Sequence, residues 1–491
     1  MLFNSLNFII FLAAVVVIYY LLPKNNWRKV FLLGASYYFY ACFDLTMLII
    51  LLAVTGVAYG YGRVREKQIL NRDQNANNSD NQQSGKGLLA GTIVLLLLPL
   101  LAFKYLDFLI DSMADMLSLA SLTVEMPDFE LFLPIGISFY TFMAVGYVVD
   151  VYQGKVPVVK NLLDFALFVG FFPQIASGPI GRAGQLIPQL KEKQPLLYRN
   201  LSAGVKMMLW GFFMKLVVGD RAGIYVDTVF GSYMHHNGVS LMFATFMYTI
   251  QIYCDFAGYS LIAIGAARTM GIELMENFRR PYFATSVADF WRKWHISLST
   301  WFRDYVYFPC GGSRCGQLKT YRNLMITFLV SGLWHGAAYN FILWGGYHAV
   351  NQILGKVFQP TKDKLRVVLH FGDNSLVRKV VDISITLCLV AYGWMFFYAP
   401  NMQFIMDVSK GYFNFGMPYI HQTTIFFFGI GFAILFLKDF KDEYCSDRVK
   451  AFAVKHPKMT VTINYIKYAI LAVLIVWIGV LGGGQFIYFK F

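Results

Sequence analysis

Charge is scarce in this chain of 491 residues: only 14% are Asp, Glu, Lys or Arg, against 57% hydrophobic and 18% aromatic. A soluble protein carries about a quarter charged residues, so that class is excluded. Negative charge is the scarcer sign, with 28 acidic residues against 42 Lys and Arg, a net charge of +14. The excess does not point to nucleic acid. The basic residues sit in short loops between apolar runs, where they orient spans and meet anionic head groups; membrane lipids are the expected partner and nucleic acid is not. Cysteine is sparse and scattered. Of the six, only Cys310 and Cys315, in CGGSRC, are close in sequence. No second ligand pair follows at a suitable spacing, so no metal site is expected. The first apolar run lacks a basic n-region and a small-residue cleavage site, so no cleavable signal peptide is expected. No internal repeat stands out, and a single domain over 1–491 is the reading.

What is abundant is apolar sequence. Phe8–Leu22, Leu88–Phe103, Thr423–Leu437 and Ile463–Leu481 are long enough to span or nearly span a bilayer as helices. An all-α polytopic membrane protein is expected. Loop charge orients it. Lys24, Arg28 and Lys29, and then a polar stretch over 62–87 that reads as a disordered loop, are expected on the cytoplasmic side. Val30–Tyr61 between them is expected as two short helices broken near Asp44. Leu88–Leu106 then leads outward to a loop over 107–130 that holds Asp107, Asp111 and Asp115 and no Lys or Arg. FFPQIASGPIGR, with two prolines and two glycines, predicts a broken or re-entrant helix, which needs surrounding protein or a water-filled cavity. Arg268–Arg322, rich in Arg, Lys and Trp, is expected at the cytoplasmic face as an amphipathic element. Asn323–Val350, flanked by cations on both sides, must dip in and return. The parity leaves both termini outside.

Ser331–His348 reads SGLWHGAAYNFILWGGYH and places His335 at the turn of that dip. A titratable ring in an apolar span is costly and calls for a reason. The plain structural alternative is an imidazole bonded between two helices. Against it stand the flanking glycines Gly332, Gly336, Gly345 and Gly346, which permit close backbone approach. A neutral imidazole there can take a proton from a hydroxyl and return it, the work of a general base. Hydroxyls need such help to act as nucleophiles in acyl transfer. His295, in FWRKWHISLSTWFRDYVYFP, is the second histidine set among aromatics and cations. Which of the two is the base stays open.

GLWHGAAYNFILWGGYHA resembles the signature of the membrane-bound O-acyltransferase (MBOAT) family, with the family's essential histidine at His335. The block from Asp255 to Arg314, together with FFPQIASGPIGR and MLFNSLNFIIF, resembles the bacterial polysaccharide O-acetylation branch, that of alginate O-acetyltransferase membrane subunits. His295 matches the second histidine of the bacterial members. Leu261 stands where many relatives carry Asp, and Cys310 and Cys315 where Leu and a basic residue are common. The resemblance implies a fold of roughly ten to thirteen membrane helices, some broken, around a central tunnel. It also implies residence in the bacterial inner membrane and acetyl-CoA as donor substrate, with no resident cofactor. An extracytoplasmic acetyltransferase partner that passes acetyl to a polysaccharide is implied too. Arg292, Lys293, Arg303, Arg314, Lys319 and Arg322 are the candidates to hold the donor's phosphates, with positive-inside anchoring as the alternative for each.

The last six residues, FIYFKF, are similar to the C-terminal motif of a small partner protein in teichoic-acid D-alanylation, which implies Tyr488 as a covalent acyl carrier. The alternative is an interfacial aromatic belt. A phenol with a pKa of about 10 needs a base at neutral pH. Two other readings remain: D-alanyl-type transfer from a carrier-protein thioester, and a polymer-export or transport protein. Transport would call for paired carboxylates or inverted repeats at mid-membrane; Asp255 shows no matching half.

Overall fold

The computed structural model describes the backbone of residues 1–74, 85–119, 133–368, 375–482 and 486–487. Among the described residues there is no β-strand, and seven helices are long and apolar enough to cross a membrane by length and composition. Three shorter apolar helices, Leu6–Leu21, Ile137–Tyr152 and Leu162–Ile175, accompany them. Where one domain was expected, the helices pack as two compact units. The first comprises Met1–Val205 with Ala263–Met275, the second Lys206–Ile262 with Glu276–Phe491.

The first unit contains α1 (Leu6–Leu21), α2 (Asn25–Ala41), α3 (Leu45–Gln74), α4 (Lys86–Leu119), α5 (Ile137–Tyr152), α6 (Leu162–Gly170), α7 (Phe172–Ile175) and α8 (Ala183–Lys191). The break between α2 and α3 falls at 42–44, as the sequence predicts. Ser5 caps α1 by accepting from the Phe8 amide, and Asn161 caps α6 through the Leu163 amide. Lys29 and Asp164, both buried, join α2 to α6 at 2.7 Å. FFPQIASGPIGR is broken as expected, and α6 ends where α7 begins. Gly136, at φ +75°, lies so close that a Cβ would sit 2.0 Å from the Ile175 carbonyl oxygen; only glycine fits that contact.

Two expectations change. Of the stretch over 62–87 expected as a disordered loop, 62–74 belong to α3 and 86–87 to α4, and 75–84 lie outside the described residues. Arg63 pairs with Glu66 one turn on, and Lys160 reaches the same carboxylate at 3.1 Å, which supports helix beyond the apolar run. Likewise α4 continues past Leu106 to Leu119, so Asp107, Asp111 and Asp115 lie on helix rather than in an exterior loop. Their four-residue spacing keeps the three carboxylates on one face while the chain stays helical.

The second unit starts inside α9 (Tyr198–Phe212), which passes into a π-helical stretch (Phe213–Gly219) and then α10 (Asp220–Gly231). It continues with α11 (Gly238–Thr269), α12 (Val287–Lys293), α13 (Ile296–Phe302), α14 (Gln317–His335), α15 (Tyr339–Val357) and α16 (Gln359–Val368). After these come α17 (Leu376–Tyr398), α18 (Met402–Gly411), α19 (Gln422–Tyr444), α20 (Ser446–Lys455) and α21 (Pro457–Ile478). α14 and α15 form a helical hairpin over the stretch expected to dip in and return. Most of α11 is buried, whereas most of α21 faces outward; the first is core and the second offers an apolar face suited to lipid. Arg268–Arg322 departs from a simple surface element, since Trp291, Trp294, Leu298 and Trp301 are buried. These apolar side chains pack inward while Arg292, Arg303, Arg314 and Lys319 stay exposed.

Candidate functional site

His335 is the last residue of α14, and the α14–α15 hairpin that presents it closes on two glycines. A Cβ on Gly332 would meet the Phe341 carbonyl oxygen at 2.2 Å, and one on Gly345 would meet the Phe328 carbonyl oxygen at 2.2 Å. Gly336 is equally confined, by the Phe341 ring, whereas Gly346 would meet only Leu329, at 3.8 Å. The first three are steric requirements of the hairpin and the fourth is not. Backbone contact this tight lets one helix turn carry His335 against its return strand of helix.

The His335 ring is buried among Trp344, Trp334 and Phe397, at centroid distances of 4.7, 4.9 and 5.4 Å. Its Nδ1 lies 2.6 Å from the Ser331 carbonyl oxygen. A carbonyl only accepts, so Nδ1 carries the proton and the basic lone pair is on Nε2. The C-terminal end of α14 also carries partial negative charge, which stabilises the imidazolium formed when Nε2 takes a proton. The ring is therefore set up to accept a proton, release it and keep its orientation throughout.

His295 reaches the same cluster. Trp334 lies between the two histidines, 4.9 Å from His335 and 6.0 Å from His295. His295 is fully buried, packed edge-on against Phe256 at 4.6 Å. Its backbone is left-handed, with φ 42° and ψ 56°, a costly conformation for a residue with a Cβ. Asn277 holds it there. The Asn277 carbonyl oxygen accepts from the Ile296 amide at 2.9 Å, and its Oδ1 accepts from the Ser297 hydroxyl at 2.8 Å and the Ser297 amide at 3.2 Å. Burial, and secondarily His335, hold the His295 ring well below the ordinary imidazole range. It is neutral at physiological pH and suited to donate or accept a hydrogen bond rather than to carry charge.

The third residue here is one that sequence reasoning set aside. His348 lies on α15, fully buried, between Trp291 and Trp344, each at 5.1 Å. Neither ring nitrogen has a hydrogen-bond partner among the described residues. A Cβ on Gly393 would fall 2.8 Å from its Nε2, so α17 approaches that ring edge closely. The signal was present in the sequence, thirteen residues after His335 on the same hairpin, but a histidine that ends a stretch is as simply read as facing a polar neighbour.

Four of the six candidate phosphate-binding cations are engaged by neighbouring groups. Lys293 pairs with Glu443 at 2.9 Å and with Asp289 at 3.5 Å, and Arg292 lies 3.8 Å from Asp289. Arg303 pairs with Asp304 at 2.9 Å, and Arg322 bonds to Asn323 and to the Cys310 carbonyl. Arg314 and Lys319 are exposed and make no ion pair among the described residues. A cavity of about 760 Å³ opens elsewhere, lined by Lys356, Lys362 and Arg378 with Gln352 and Ser286. It begins one helical turn along α15 from His348. Among the described residues no group of three or more His, Cys, Asp or Glu is placed to hold a metal ion.

Tyr488 lies outside the described residues. The two residues before it do not. Phe486 is buried and stacked on Tyr259 at 4.5 Å, and lies 5.5 Å from Phe256, the ring that packs on His295. The Ile487 amide donates to Asp255 Oδ2 at 2.7 Å. Asp255 also meets Lys215, and Lys215 meets Asp220 at 2.7 Å, all three buried. Asp255 is thus paired with a lysine forty residues earlier.

Residues 157–395, which contain both histidines and the whole α14–α15 hairpin, match the model of the membrane-bound O-acyltransferase family. The chain is 35% identical over 422 residues to a probable alginate O-acetylase AlgI of Pseudomonas aeruginosa, covering 85% of this chain and 75% of that protein. The chain belongs to the membrane-bound O-acyltransferase family. It is an O-acyltransferase and a multi-pass membrane protein. A peptidoglycan O-acetyltransferase of Helicobacter pylori is 33% identical over 335 residues, 63% of this chain and 61% of that one. A teichoic acid D-alanyltransferase of Bacillus subtilis is 29% identical over 276 residues, 54% and 68% of the two chains. Relatives with three different acceptors or acyl groups share the membrane O-acyl transfer that this family name describes.

Proposed function

We propose that this chain is the membrane subunit that moves acetyl from cytosolic acetyl-CoA toward an extracytoplasmic polysaccharide, in the inner membrane of a bacterium. The observation that carries the reading is the His335 Nδ1 bond to the Ser331 carbonyl oxygen. It fixes the tautomer a general base needs at the closed end of a glycine-sealed helix hairpin. In the step, His335 Nε2 takes the proton of an acceptor hydroxyl while that oxygen attacks the thioester carbonyl. The C–O bond forms, the C–S bond breaks, and the coenzyme A thiolate leaves and recovers the proton from the imidazolium. His295, neutral and rigidly held, orients the acceptor or the carbonyl. Lys356, Lys362 and Arg378, around the cavity beside α15, suit the donor's phosphates. Arg303, Arg314, Lys319 and Arg322 provide a basic approach.

The first acceptor in this reading is the Tyr488 phenol, which then offers the acetyl group to an extracytoplasmic partner protein. What supports it is the seating of Phe486 beside Phe256, the ring that packs on His295, and of the Ile487 amide on Asp255. The test is purified protein given isotopically labelled acetyl-CoA, with mass spectrometry of the C-terminal peptide and a His335→Ala sample beside it. Label on Tyr488 in the parent and its absence in the variant is the expected result. Acetyl-CoA consumed without label on Tyr488 points to direct transfer. No consumption by a correctly folded parent sinks the acetyl-CoA reading and makes D-alanyl thioester the next donor to supply.

A further inference from the structure

The Lys215–Asp255 pair sits in the interior of an apolar unit, and burying it is expensive. Three features surround it. α9 and α11 cross at Gly211 and Gly258, where a Cβ on either would meet the other's carbonyl oxygen at 2.6–2.7 Å. Lys215 lies in the π-helical stretch that follows, an insertion that shifts side-chain direction and recurs at functional positions. The chain's last described segment is led along the same stretch. The Val480 amide donates to the Leu216 carbonyl oxygen at 3.0 Å, and Arg221 donates to the Ile478 carbonyl oxygen.

One ammonium serves two carboxylates here, because Lys215 is shared by Asp220 and Asp255. Asp255 therefore needs a further donor for Oδ2, and the donor is the Ile487 amide at 2.7 Å. A backbone amide accepted by a buried carboxylate fixes the register of a segment in a way that apolar contact does not. A ring can slide on a ring, whereas a charge-assisted hydrogen bond has one partner and one direction. Phe486, stacked on Tyr259 one turn beyond Asp255, sets the adjoining side chain at the same time.

We infer that Asp255, oriented by Lys215, is a positioning residue that clamps the C-terminal segment at the Ile487 amide and holds it in register beside His295. The inference deepens the carrier reading and rests on it for one consequence: loss of the clamp lowers the rate at which Tyr488, next in sequence, is acylated. Asp255 touches the tail and not the reacting atoms.

The test uses the full-length protein in lipid nanodiscs and two independent variants. In Asp255→Asn the carboxamide turns its oxygen to Lys215 and offers an amide N–H to the Ile487 amide, so donor faces donor. Ile487→Pro leaves Asp255 and Lys215 intact and removes the N–H itself; it guards against a folding defect in the first variant. Ile487→Ala keeps the N–H and serves as control. Hydrogen exchange of the C-terminal peptide is read by mass spectrometry, beside the labelling rate of Tyr488 and the KM for acetyl-CoA. Both clamp variants are expected to lose exchange protection and at least tenfold in labelling rate, with KM unchanged and the Ala control near the parent. Unchanged protection in the two clamp variants overturns the clamp. If the parent never labels Tyr488, the carrier reading fails by itself, and loss of protection in the variants still supports a clamp on the tail.

Discussion

Two glycine-sealed helix contacts in the second unit do different things with a buried polar side chain. In the α14–α15 hairpin, Gly332 and Gly345 bring the backbones together and the polar group is an imidazole, bonded to a carbonyl four residues earlier in its own helix. Where α9 passes α11, Gly211 and Gly258 do the same, but the polar groups are charged and their partners come from three separate stretches of chain. The hairpin is local, self-sufficient and chemical. The crossing is non-local and costly, so it earns its place only by holding something distant, which here is residue 487.

The sharpest way to break the comparison is Lys215→Met. It strips the ammonium from two buried carboxylates, and the crossing is expected to lose about 3–5 kcal/mol, read as a fall in thermal unfolding temperature in nanodiscs. His335→Ala, by contrast, is expected to lower acyl transfer by about a hundred- to ten-thousand-fold at nearly parental unfolding temperature. An equal loss of stability in both variants would erase the distinction between a chemical and a holding site.

Next in size come the glycines. Gly345→Ala and Gly258→Ala each force a methyl against a carbonyl oxygen, at 2.2 and 2.7 Å before relaxation. Each is expected to cost about 1–3 kcal/mol, and only the hairpin variant should lower turnover while leaving hydrogen exchange of the C-terminal peptide as in the parent. Asn277→Ala, which removes the Oδ1 that accepts from the buried Ser297 amide and hydroxyl, is expected to cost about 1–3 kcal/mol. It should also reduce kcat more than KM, since it frees the His295 backbone from its left-handed conformation. Gly346→Ala marks the bottom of the range. Its Cβ would meet only Leu329 at ordinary contact distance, and stability within about 0.5 kcal/mol of the parent is expected.

The histidine of the hairpin was legible because the turn and the glycines lie within the eighteen residues Ser331–His348, and cations border the same span on both sides. His295 was legible as a candidate from its aromatic and basic neighbours, but not as a strained residue. Nothing between Phe290 and Tyr305 states that Asn277 will reach across and hold it. Where α3 and α4 continue past their apolar cores, hydropathy ended and helical spacing of charges did not, so the polar stretch over 62–87 and the acidic loop were drawn too long. The six cations illustrate the opposite difficulty. Their abundance is plain in sequence, yet Lys293 is committed to Glu443 a hundred and fifty residues away.

By itself, then, the amino-acid order determined the membrane setting, the helical class, and the stretch that folds as the α14–α15 hairpin with His335 at its turn, since each follows from local periodicity, local charge or a contiguous motif. Tertiary structure decided which glycines are steric necessities, that His348 shares the tryptophan cluster, and that Asp255 answers both to Lys215 and to the amide of Ile487. Those last facts join residues 215, 255 and 487, and a contact between distant positions depends on how helices cross, which no single stretch of sequence encodes.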